Sequence, residues 1–128
     1  MKKNSFLKGI RSDKPWPHNK NRVYINGKQL SWKRSFKYLQ KSISGFEWGY
    51  GGAGPQQLAF AILLELTTED IARKLYYSFT EEFVSKLPTT QNFSVTQEIV
   101  EEAIRRASKN PAHYFYTPRD IKQPARKN

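Results

Sequence analysis

The period of apolar positions changes several times along this chain, and each change marks an element. Up to Asn21 the sequence is rich in Lys and Asn, with Pro15 and Pro17 around Trp16, and shows neither helical nor strand periodicity. Residues 1–21 therefore read as an extended, flexible basic arm. Val23, Tyr24 and Ile25 then precede Asn26-Gly27, with Lys28, Gln29 and Leu30 after it. Asn-Gly supplies the two positive-φ residues of a type I′ turn, so this stretch predicts a β-hairpin. From Lys33 to Gly45, Phe36, Tyr38 and Ile43 are scattered among basic and polar neighbours. That mixture reads as a third short strand or an irregular crossing.

Helical spacing begins at Pro55, whose missing N–H costs nothing in a first turn. Leu58, Ala59, Ile62 and Leu66 form one stripe, and Phe60, Ala61, Leu63 and Leu64 fill the other faces, so this helix is predicted to be central. Thr67-Thr68-Glu69-Asp70 supplies a hydroxyl cap and first-turn acids for a second helix. Its stripe of Ile71, Leu75, Phe79, Phe83 and Leu87 runs to the helix-breaking Pro88. Phe93 and Val95 suggest a short extended passage. Thr96 then caps a third helix carrying Ile99, Val100, Ala103, Ile104 and Ala107, which ends at Asn110-Pro111. The expected fold is α+β: an N-terminal hairpin packed on three helices, with a single compact domain over 22–108 and a flexible basic tail over 109–128.

Charge alters this picture because it is segregated. Residues 1–45 carry 12 Lys or Arg and one acid, Asp13; residues 46–104 carry three basic and nine acidic side chains; residues 105–128 carry seven basic and one acidic. An acidic helical body with basic extensions favours polyanionic partners, either nucleic acid or an acidic protein surface. The absence of cysteine removes disulfides, thiolate nucleophiles and Cys-based metal sites. No apolar run approaches the ~18 residues of a membrane span, and Lys8, Gly9 and Arg11 interrupt Phe6, Leu7 and Ile10, so neither a membrane partner nor a secretory signal is expected. The cytoplasm is the expected location.

Five glycines fall within Gly45–Gly54, directly before the central helix. Gly49, Gly51 and Gly54 fit G-x-G-x-x-G, and open amides of such a loop at a helix start, around Gly49, Gly51, Gly52 and Gly54 with Glu47 beside them, are a candidate anion cradle. The surroundings argue against a nucleotide fold. A dinucleotide site needs a βαβ unit, and Pro55 and Gln56 stand where a P-loop needs Lys and Ser/Thr. The other reading is architectural: the glycines permit close approach while Phe46, Trp48 and Tyr50 pack the loop onto the helices.

The block Gly45-Phe46-Glu47-Trp48-Gly49-Tyr50-Gly51-Gly52, continued by Gly54-Pro55 and Gln57-Leu58-Ala59, resembles the signature of an uncharacterised bacterial and phage family of domains of unknown function. The resemblance covers about Arg22 to Ala107. It implies a short β segment, the glycine block, a long helix and a closing helix, and it hints at a host-interaction or nucleic-acid role linked to phage or mobile elements. It brings no catalytic residue with it.

The residues themselves offer little catalysis. His18 and His113 both fall in the expected flexible ends, where a rigid site cannot be assembled. The acid groups Glu65, Glu69, Asp70 and Glu98, Glu101, Glu102 occupy helix starts and polar faces, so no metal and no cofactor are expected. Glu47, between Phe46 and Trp48, is a candidate acid or base if desolvated, or else a backbone acceptor or helix cap. Lys28, Lys33, Arg34, Lys37 and Lys41 interleave with Trp32, Phe36 and Tyr38, the pattern of phosphate neutralisation combined with base stacking. Tyr114-Phe115-Tyr116 in the tail suggests a protein-interaction or inhibitory module as the alternative. A small basic binding protein is favoured over an enzyme.

Overall fold

The computed structural model describes residues 5–15 and 18–109, and its elements run β1 (Leu7–Ile10), β2 (Arg22–Ile25), β3 (Lys28–Gln29), α1 (Trp32–Tyr38), α2 (Ala53–Leu66), α3 (Glu69–Glu82), a 3-10 turn (Val84–Lys86), β4 (Phe93–Val95) and α4 (Gln97–Ser108). The fold is α+β, with an antiparallel sheet in the order β3-β2-β1-β4.

The predicted hairpin is β2 and β3. Asn26 at φ 52° and Gly27 at φ 86° form the turn, and Tyr24 pairs with Gln29. The flexible-arm reading of residues 1–21 fails at its centre, because β1 lies between β2 and β4 as an inner strand of the sheet. Leu7 faces Ile25 on one side and Val95 on the other, and Gly9 faces Val23 and Phe93. Four residues are too few to show a period, and Gly9 hides the alternation. A Cβ on Gly9 would lie 2.2 Å from the Phe93 ring, so the glycine is the space into which Phe93 packs. Residues 110–128, with His113 and Tyr114-Phe115-Tyr116, lie outside the described residues, as do residues 1–4, 16 and 17.

One face of the sheet is apolar. Leu7, Val23, Ile25 and Phe93 join a single buried cluster with Leu58 to Leu64 of α2, Tyr76 and Phe79 of α3, and Val100 and Ala103 of α4. The other face carries Lys8, Ile10, Arg22, Tyr24 and Ser94, none of them buried. The period-2 alternation of a half-buried sheet separates the two sets.

The stretch expected as a third strand or irregular crossing opens instead with a helix, α1. Ser31 caps it, accepting a hydrogen bond from the Arg34 N–H at 3.0 Å, and Trp32 stacks on Phe36 one turn later at 5.0 Å between centroids. α2 is buried on all sides from Gln57 to Leu64, as its composition requires. It begins two residues before Pro55, whose absent N–H still falls within the unpaired first turn. α3 is capped by Thr68 but stops at Glu82, short of Pro88. The Val84 carbonyl receives N–H groups from Leu87 at 3.3 Å and from Gly49 at 3.0 Å, which ties the chain into a tighter turn. Thr96 caps α4 as expected, accepting from the Ile99 N–H.

Buried polar groups fix the crossing after α1. Gln57 is fully buried, and its Oε1 accepts from the Lys41 N–H at 2.8 Å and the Ser42 N–H at 3.0 Å. Its Nε2 donates to Ser35 Oγ and the Leu39 carbonyl, both at 2.9 Å. One amide of α2 thus uses its full hydrogen-bonding capacity to pin residues 35–42.

Candidate functional site

The glycine block folds as a joint between the sheet and α2. Phe46 and Trp48 are buried, whereas Tyr50, expected to pack inward, is 46% exposed. Trp48 donates its Nε1–H to the Gln91 carbonyl at 2.9 Å and meets the Phe93 ring edge-on at 4.8 Å. Gly49 has φ 93°, and a Cβ there would come within 2.4 Å of the Thr89 Cα. Gly54 is confined as well, since a Cβ would sit 2.7 Å from Glu47 Cβ. A Cβ on Gly52 would meet the Tyr50 ring at 2.9 Å, and Gly51 borders open space.

Glu47 neither caps α2 nor takes backbone N–H groups from the loop. Its carboxylate pairs with the Arg11 guanidinium at 2.6 Å. Arg11 also donates to the Trp48 and Thr89 carbonyls and lies 4.4 Å from the Trp48 ring centroid, and its backbone N–H donates to Asn92 Oδ1 at 2.7 Å. This residue of the supposed arm is therefore the clasp on the glycine block. The adjacent Tyr50 phenol is raised above its ordinary pKa by partial burial, with the Glu47 carboxylate adding to the rise and Arg11 opposing it. Three of the four candidate anion-cradle glycines thus have packing duties, and the nearest carboxylate already has a cation.

The six cationic and aromatic candidates do not form one patch. Arg34 pairs with Glu65 of α2 at 3.5 Å and lies over the Tyr38 ring. Lys41 lies over the Tyr76 ring, 5.4 Å from its centroid. Lys28 is exposed at the hairpin, and Lys37 is exposed near the end of α1. Trp32 is half-buried, its Nε1–H bonded to the Ser42 carbonyl at 2.9 Å.

Trp32 and Lys33 instead meet residues from outside that candidate set. They line a groove of about 390 Å³ with Lys20, Asn21, Arg22, Gln29, Leu30, Ser31 and Phe46. Arg22 also borders a depression of about 550 Å³ that contains Arg11, Asp13, Lys14 and Lys20, and a third of about 430 Å³ on the open sheet face with Lys8, Ile10 and Tyr24. Asp13 is the single acid in these three linings. Among the described residues, Lys8, Lys14, Lys20, Arg22 and Lys33 have no ion pair. On the sheet face Arg22 donates to the Tyr24 hydroxyl at 3.2 Å, coupling a cation to an aromatic ring. The regional excess of Lys and Arg was the signal for Lys20 and Arg22. Their convergence depends on β1 bringing residues 8–14 alongside β2.

The fold and this surface define a small α+β protein with a cationic open sheet face. Residues 9–106 match the model of a family of unknown function, DUF6166, and the chain belongs to that family. The match starts inside β1, which places residues 9–21 of the supposed arm within the family's common unit. Neither the curated proteins nor the solved structures contain a match to this chain. Among the described residues no helix is long and apolar enough to cross a membrane.

Proposed function

We propose that this protein binds nucleic acid across the open sheet face and the groove beside it. The carrying observation is that three neighbouring depressions share Arg22, and their linings hold five cations that have no ion pair among the described residues, against one acid. Phosphate backbones are the polyanion such a track suits, because each phosphate neutralised releases condensed counterions. Tyr24 and Trp32 add aromatic rings beside the cations, which an acidic peptide would not require. The link to phage and mobile elements implied by the glycine block is compatible with this role.

The test is anisotropy of a labelled oligonucleotide titrated with the full chain at rising salt. With three phosphate contacts, affinity for a single strand should fall about 20-fold between about 50 and 200 mM salt. Combining Lys20→Glu with Arg22→Glu should abolish most binding, whereas Lys86→Glu, on the 3-10 turn, should leave it nearly unchanged. Affinity that is flat with salt, or equal losses in both variants, would refute the proposal.

A further inference from the structure

The groove between the hairpin and α1 differs from the other two depressions in having an indole in its wall. Trp32 is held from two directions, by the 2.9 Å bond to the Ser42 carbonyl and by Phe36 stacked at 5.0 Å. Phe36 does not line the groove, whereas Lys20 does, and its Nζ stands 5.2 Å from the indole centroid. The indole is thus a fixed platform with the exposed Lys20 reaching over it from the groove. Leu30 and Phe46 form an apolar floor, both largely buried.

The polar groups divide into committed and available ones. Asn21 is committed: its Nδ2 donates to the Phe46 carbonyl at 3.0 Å and its Oδ1 accepts from the Ser12 N–H at 2.9 Å. Gln29, exposed on β3, has no side-chain hydrogen bond among the described residues, so its amide can both donate and accept. Lys20, Arg22 and Lys33 surround the opening, and no acid lines it. A fixed indole, an uncommitted amide and surrounding cations match the three parts of a nucleotide: π-face, base edge and phosphate. The volume lies within the ~300–1,000 Å³ typical of small-ligand pockets.

We infer that this groove receives one unpaired nucleobase, stacked on Trp32 with Gln29 at its edge and Lys20 and Lys33 on the flanking phosphates, so that the protein prefers single strands. The inference rests on the nucleic-acid reading above and adds the class of strand. In a duplex, base faces are covered by their neighbours and cannot reach the indole. Fixing the ring beforehand lowers the ordering cost of binding.

The experiment compares three ligands of equal length and label on the full chain at low salt: a single strand, the same strand with abasic sites throughout, and the duplex. The base-bearing strand should bind about tenfold or more tighter than the abasic one, the scale of one aromatic–base stack. Trp32→Ala should erase that gap and Trp32→Phe should keep most of it. A strand carrying 5-bromouracil should photocrosslink to the peptide that spans residues 29–33, a readout on the native chain that stands even where Trp32→Ala does not fold. Equal affinity for all three ligands, or crosslinks confined to other peptides, would overturn the base pocket while leaving salt-dependent binding intact. Failure to bind any of the three would remove both readings.

Discussion

At the scale of single residues, the glycine block separates into positions of different consequence. Gly49 combines a positive φ with a backbone atom where its Cβ would go, so Gly49→Ala should destabilise the fold by at least ~2 kcal/mol. Gly51 has neither constraint, and Gly51→Ala should stay within ~0.5 kcal/mol of the parent. Urea unfolding of the two variants measures the contrast. Equal losses would show that the block acts through loop flexibility and not through close packing. The sequence displayed five equivalent glycines. Which of them touch Thr89 or Glu47 depends on chain segments brought together by folding. Glu47 shows the same dependence, because its partner Arg11 lies 36 positions away and no local pattern connects them.

At the scale of elements, local chemistry predicted starts better than paths. Asn26-Gly27, Thr68 and Thr96 act within one turn of themselves, and each sits where expected. The segment after the hairpin defied a periodicity reading because α1 is only seven residues long and its single stacked pair, Trp32 and Phe36, is too little for a stripe. What holds the following crossing is Gln57, the one polar residue in the buried stretch 57–64 of α2. Gln57→Leu keeps the volume but strips the Ser42 N–H and the Leu39 carbonyl of a buried partner. It should cost about 2–4 kcal/mol by equilibrium unfolding. Hydrogen exchange should report faster opening of residues 39–45 than of α4. Unchanged exchange at Ser42 would mean that the crossing is held by other contacts.

At the scale of the molecule, β1 decides the most. As an inner strand it pairs on both sides, contributes Leu7 to the core and carries Lys8 onto the open face, with Arg11 following it. Deleting residues 1–12 should therefore abolish cooperative thermal unfolding by circular dichroism, not merely lower affinity for polyanions. A deletion that melts like the parent would restore the arm reading. By itself the sequence determined the α+β class, the buried central helix, the hairpin turn and the basic character of the N-terminal third, because caps, turn residues and charge act over a few bonds or add along the chain. Tertiary structure alone decided that residues 7–10 are a strand, that the glycine block is clasped by Arg11, and that Lys20, Arg22, Trp32 and Lys33 share one groove. Strand pairing and surface convergence are made by residues far apart in sequence, and a four-residue strand with glycine at its third position has no periodic signal to announce them.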